Sequence, residues 1–309
     1  MDVCTNIKDI NKFDQSNLTI GSFDGMHIGH IKIIKELKNI SRINNLPTVA
    51  ITFDPLPKTV LNKNKPGNLK VLTSIEKKLE IFDNNGIDCV WVIPFNGDFA
   101  KITAKHFLEN YLINYFKPID IVLGYDHHFG YKKKGGVQFL RSMKEKYNYN
   151  IIEIDPIEFN NTIVSSTKIR DYLKVGDIAS ANNLLGWEYS LSGTIVKGQG
   201  IGKMIDFPTA NVKPYNDNQL IPSKGVYRVD TKVGNCNYIG MCNIGNRPTF
   251  YDLDEEVIEV HLITDQILSI YDKNILIIFK DFIREEKKYD NANELVKQLK
   301  RDRYTCLPN

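Results

Sequence analysis

The sequence predicts two domains of different class: an α/β domain on a parallel sheet, followed by an antiparallel β-barrel with a terminal helix. Three observations carry this expectation. From residue 18 to about residue 155, short apolar or β-branched runs alternate with amphipathic stretches, which is the rhythm of βαβ units. From Tyr189 onward, strand-like runs follow one another with turn signals and no intervening helix. Between the two regions, "SSTKIRDYLKVGDIASANNLLG" reads as two short helices joined at Gly176, which sets the boundary near Gly186 and gives domains of residues 1–186 and 187–309.

The strands expected in the first domain are "LTIGSF", "PTVAITF", "DCVWVIPF", "IDIVLGY" and "YNIIEID", each bounded by Gly, Pro, Asn or Asp. "IKIIKELKNI", Ser74 to Asp83 and Thr103 to Phe116 read as helices covering them. A sheet of this kind binds ligands beyond the carboxyl ends of its strands. The second domain offers "YSLSGTIV", "GVYRVDTKV", "NYIGMCNI", "VIEVHLI" and "NILIIFKDFI" as strands. A last helix, Asn291 to Arg301, carries Leu295, Val296 and Leu299 on one face.

The 309 residues are enough for two buried cores, and 42% hydrophobic with 25% charged residues is an ordinary globular composition. No apolar run reaches the roughly 20 residues that span a bilayer, and the first residues lack a secretory pattern, so a cytoplasmic protein with no membrane partner is expected. Five scattered cysteines without a C-x-x-C pair argue against a disulfide framework or a zinc site. A net charge of +3 is too small for a nucleic-acid footprint, and the basic run Lys132 to Lys134 reads as a solvated loop. Composition and spacing leave the oligomeric state open.

"SFDGMHIGH", residues 22–30, stands between a strand and a helix. A helix N-terminus there offers free backbone N–H groups, Gly25 and Gly29 permit close approach, and His27 and His30 at i and i+3 share a face. Such a loop suits a phosphate whose charge grows in a transition state. By itself H-x-x-H also fits capping or surface histidines.

"FDGMHIGH" resembles the signature loop of the nucleotidyltransferase superfamily, which implies a Rossmann-like parallel sheet. The resemblance implies ATP contacts from Ser22, Phe23, Asp24, Gly25 and Gly29, with His27 and His30 stabilising a pentavalent α-phosphate while pyrophosphate leaves. "VSSTKIR" resembles the superfamily's second element, in which Ser166 and Thr167 donate to the β- and γ-phosphates and Arg170 clamps their charge.

"VKGQGIGKMIDFPTANV", "GVYRV", "CNIGNRPTF", "VIEVHL" and "FIREEKKYDN" resemble, in this order, a riboflavin kinase domain. Joined to the first domain, they make the chain similar to the bacterial bifunctional riboflavin kinase and FAD synthetase family from about residue 15 to residue 302. That family implies riboflavin, ATP, FMN and FAD as substrates and products, with Mg²⁺ as cofactor. It implies Glu259 as general base of the kinase, Thr209 and Asn211 as holders of Mg²⁺ and phosphate, and Gly198, Gly200, Gly202 and Lys203 as an ATP loop. Arg284 and Glu286 would meet the flavin there. In the first domain, Phe53, Pro55, Pro57 and Phe95 would wall the isoalloxazine, and Asp126 would meet flavin, nucleotide or a metal shell.

The chain departs from the family pattern at Leu56, at His127, at Asp206 beside the presumed phosphates, and at Asp272. Alternation alone would make Glu259 an ordinary outward strand residue. The competing readings are a relative with only one live half-reaction and a flavin-binding regulator.

Overall fold

The computed structural model describes residues 1–10, 12–61, 69–197, 207–247, 255–264 and 270–307. The chain divides into two compact units, Met1–Ser166 and Thr167–Asn309.

The first unit runs β1 (Asp2–Cys4), β2 (Ser16–Ile20), α1 (Ile28–Asn44), β3 (Thr48–Phe53), α2 (Pro57–Leu61), α3 (Ile75–Asn84) and β4 (Cys89–Ile93). It continues through α4 (Ala104–Phe107), which passes into a π-helical segment (Leu108–Phe116), then β5 (Pro118–Gly124), β6 (His128–Phe129), β7 (Gly135–Gly136), α5 (Val137–Tyr147), β8 (Asn150–Ile154), β9 (Glu158–Phe159) and β10 (Thr162–Ile163). Six strands form one sheet in the order β1-β4-β3-β2-β5-β8. Every pairing in it is parallel. All residues of β2, β3 and β4 are buried, as expected of strands covered on both faces, which explains why their sequences read as continuous apolar or β-branched runs.

The chain winds from β2 outward through β3 to β4, then returns to the other side of β2 for β5 and β8. The winding therefore reverses between β2 and β5, and the crevice at this switch point opens beyond their carboxyl ends. Residues 21–27 leave β2 at this place, and Tyr125 to His127 leave β5 beside it. Local chemistry fixes the helix starts: Ser74 accepts from the Lys77 N–H at 3.3 Å and Thr103 from the His106 N–H at 3.2 Å. The strand β1, paired with β4, was not expected from the sequence; three residues carry too little periodicity to be seen.

The second unit holds the rest of α6 (Ser166–Lys174), then α7 (Ile178–Leu185), β11 (Ser190–Val196), β12 (Ala210–Pro214), β13 (Gly225–Val233), β14 (Cys236–Arg247), β15 (Glu255–Leu262), β16 (Asn274–Arg284) and α8 (Ala292–Cys306). The strands close an antiparallel barrel in the order β11-β12-β15-β14-β13-β16. Alternate residues fill it: Ala210, Val212, Tyr227, Val229, Cys242, Ile244, Ile258, Val260, Ile277 and Phe279 are all buried. α8 lies on the outside, where Val296 and Leu299 pack with Val226, Met241 and Cys306. β12 was not anticipated, because its five residues were read as part of a loop motif.

Candidate active sites

The first site begins with backbone strain. Phe23 (φ 47°) and Met26 (φ 40°) adopt left-handed conformations that cost a side-chain-bearing residue roughly 1–3 kcal/mol each, and Gly25 (φ 87°) lies between them. The turn is clamped from several directions. The buried Asp24 carboxylate accepts from the Leu72 N–H at 2.8 Å, and the Ser166 hydroxyl donates to the Asp24 carbonyl at 2.7 Å. Ser22 itself is exposed.

His27 caps α1, its Nδ1 accepting from the His30 N–H at 3.3 Å. That bond fixes the tautomer: with the Nδ1 lone pair engaged, a neutral ring carries its proton on Nε2. The residue is 7% exposed, so that N–H donor is already largely stripped of water. The His30 ring stacks on His27 with centroids 3.6 Å apart and planes at 15°, and its Nδ1 is enclosed without a partner. Burial pulls the His27 pKa down to about 4. Burial also carries His30 well below the usual imidazole range, helped by the adjacent His27 and by Lys78. Both rings are neutral donors at physiological pH. Gly29 makes the stack possible, since a Cβ there would stand 3.1 Å from His27 Nδ1 and 3.2 Å from Cε1.

The other expected residues of this unit fall near the same strand ends. Phe53 ends β3 at 8% exposure and meets the Phe95 ring edge-on at 5.7 Å, continuing to Phe99 at 5.8 Å, so both belong to the aromatic core as well as to its rim. Pro55 is exposed and Pro57 opens α2. Asp126 is exposed in the turn after β5, its carbonyl 2.9 Å from His128 Nδ1. Thr167 and Arg170 lie on α6 in the second unit, where Arg170 is buried.

In the barrel, pairing register builds the second site. Glu259 on β15 stands directly opposite Asn211 on β12 and, on its other side, opposite Asn243 on β14. Residues opposite one another share a face, so the three side chains form a polar row on the outer wall, the inward positions being taken by Ala210, Ile258, Val260 and Cys242. Outward is thus correct for Glu259, yet the position is far from ordinary. Glu286 joins this face, its carboxyl filling the place a Cβ of Gly245 would take. Thr209 precedes β12, and the segment is tied down by His261, whose Nδ1 lies 2.9 Å from the Pro208 carbonyl while its ring packs on Phe207. The Arg284 guanidinium is turned to buried Asp302 on α8, with Nη2 to Oδ2 at 2.7 Å. Gly198, Gly200, Gly202 and Lys203, with Asp206, lie outside the described residues.

Three residues escaped the sequence reading. Lys78, in the apolar stripe of α3 with Ile81 and Phe82, is buried, and that i, i+3, i+4 spacing was the signal that could have found it. Asn243 and His261 have no local signal, since only strand pairing brings them to Glu259 and Pro208.

A family model described as FAD synthetase matches residues 9–168, and one described as riboflavin kinase matches residues 185–307. A bifunctional riboflavin kinase/FMN adenylyltransferase of Buchnera aphidicola is 36% identical over 96% of this chain and 94% of its own length. Those of Listeria monocytogenes and Escherichia coli K12 are 34% and 33% identical, over 95% and 94% of this chain and 91% of each relative. A solved structure described as a macrolide-efflux protein from Streptococcus pneumoniae superimposes with a TM-score of 0.87 at 30% identity, covering 98% of this chain and 97% of that one. Among the described residues, no helix is long and apolar enough to cross a membrane. The chain belongs to the family of bifunctional riboflavin kinases and FMN adenylyltransferases.

Proposed function

We propose that the chain makes FMN from riboflavin and then FAD from FMN, each with ATP, and that residues 1–186 carry the adenylyl transfer and residues 187–309 the phosphorylation. The observation that carries the first assignment is the His27–His30 stack, two rings kept neutral by burial, with His30 Nδ1 enclosed and unpartnered. An FMN phosphate oxygen attacks the ATP α-phosphorus, and the bond to the pyrophosphate oxygen breaks. Charge that builds on the α-phosphate oxygens meets imidazole donors that are already desolvated and need no reorganisation. The α1 N-terminus adds its dipole, and Ser166 holds the departing phosphates.

In the barrel, Glu259 takes the proton of the ribityl 5′-hydroxyl as its oxygen attacks the γ-phosphorus of ATP, and ADP leaves. Its neighbours Asn211 and Asn243 orient the carboxylate and the hydroxyl from either side. Among the described residues no cluster of three or more His, Cys, Asp or Glu side chains could hold a metal on its own. The hydroxyl and amide oxygens of Thr209 and Asn211 are hard donors suited to Mg²⁺, which takes most of its shell from phosphates and water. When bound, Mg²⁺ supplies neutralisation of phosphate charge in both reactions. The five free cysteines favour a reducing, cytoplasmic setting.

The test is a chromatographic time course with riboflavin, ATP and Mg²⁺, repeated with FMN as the starting flavin. FMN rising first and FAD later is the expected result. FAD from FMN alone would leave the kinase silent, with Asp206 the first suspect. Binding of both flavins without turnover would favour a regulator instead.

A further inference from the structure

A lysine on a helix can reach water, but Lys78 turns inward and is 2% exposed. Its Nζ donates to the Ser22 carbonyl at 2.9 Å and to Thr52 Oγ1 at 3.2 Å, while the Thr52 hydroxyl donates to the same carbonyl at 3.3 Å. The ends of β2 and β3 and the first turn of α3 are thus joined through one ammonium. The carbonyl they share immediately precedes Phe23, the first left-handed residue of the strained turn. A turn of that kind persists only where its surroundings over-determine it.

We propose that Lys78 is a positioning residue for adenylyl transfer: by fixing the Ser22 carbonyl it holds the Phe23–Met26 turn, and through it the His27–His30 stack. The inference rests on the histidine assignment above. The charged groups that face Lys78 are Asp24 in the turn and Asp54 beyond β3, and the titratable groups it faces on α1 are His30 and, behind it, His27. Burial draws the amine to about 8, so it is mostly a cation at neutral pH, and a cation beside His30 opposes a second positive charge there. Removing it has two consequences: the loop loosens, and His30 takes up a proton at higher pH.

The test uses the full chain and reads both reactions from the same preparation. K78M is expected to lower the turnover of FMN to FAD on the order of 10²-fold, since a displacement of about 1 Å at a catalytic group has that effect. The Michaelis constant for ATP should stay within about threefold, with FMN formation from riboflavin unchanged, because the lost interaction is realised mainly in the transition state. The acid limb of the FAD-forming pH profile should move to higher pH, and K78R should recover at least roughly a tenth of wild-type turnover. FAD turnover within about twofold of wild type, or a loss with an unmoved acid limb and no rescue by arginine, overturns the proposal. If K78M does not fold, T52V decides: a roughly threefold or greater loss of FAD turnover supports the clamp, and wild-type turnover overturns it. An undiminished FAD rate in a H27A/H30A chain would overturn the histidine assignment itself. An undiminished rate in K78M beside an inactive H27A/H30A chain overturns only the role of Lys78.

Discussion

The two sites are built by opposite means. In the first unit, eight consecutive residues from Phe23 to His30 supply the turn, the helix cap and both imidazoles, and the site stores strain and one unpartnered buried ring nitrogen. In the barrel, Asn211, Asn243 and Glu259 come from three strands and are brought abreast by register alone, with no left-handed residue among them. A site made of one loop is precise because its few residues are clamped, so it is sensitive to the clamps. A site made of register is held by the whole barrel and is sensitive chiefly to the side chains themselves.

That contrast can be broken by substitution. The largest effect expected is from H27A/H30A, which removes both desolvated donors and should lower FAD formation by at least about 10³-fold while FMN formation stays at the wild-type rate. Equal loss of both reactions in a product assay would end the separation of the sites. Glu259→Gln keeps the shape of the row and removes the base, so riboflavin phosphorylation should fall by about 10²–10³-fold with FAD formation from FMN unaffected. Unchanged kinase turnover would remove Glu259 from that role.

Smaller changes sharpen the comparison. Gly29→Ala puts a methyl 3.1 Å from His27 Nδ1 and should reduce FAD turnover by roughly tenfold with little change in substrate affinity. Wild-type turnover would show that the stack has room to spare. The mildest effect concerns pH. Burial holds His27 and His127 at about 4 in the fold, below the ordinary value of 6.5. Protons therefore bind the unfolded chain first. The stability that neutral burial contributes is complete above about pH 6.5 and is lost as pH falls through the interval down to about 4. By pH 5 the loss is on the order of 2 kcal/mol for each imidazole. Denaturant unfolding between pH 7 and 5, followed in wild type and in His27→Gln, should show a weaker pH dependence in the variant; equal slopes would mean that His27 is free to protonate in the folded state.

The same contrast explains what could be read from the sequence. The loop was legible because its chemistry is contiguous: "SFDGMHIGH" holds the glycines, the histidines and the helix start in nine letters. The five long strands of the first sheet and every barrel strand except β12 were legible from their apolar runs. Glu259 was legible only through the family resemblance, because outward alternation describes an inert strand residue and an active one equally well; the structure adds its pairing with Asn211 and Asn243. Lys78 escaped because a lysine is expected on the wet face of a helix, and only its phase with Ile81 and Phe82 says otherwise. The unpartnered Nδ1 of His30 is a property of tertiary enclosure, which no local pattern encodes.

The separation of the sites is tested most directly by mixing. H27A/H30A and Glu259→Gln chains are incubated with riboflavin, ATP and Mg²⁺, each alone and then together, and the flavins are separated over time. If each site is complete without the other, the histidine variant alone stops at FMN, the glutamine variant alone leaves riboflavin untouched, and the mixture makes FAD. A mixture that makes no FAD, or either single variant that loses both reactions, would contradict two independent sites on one chain.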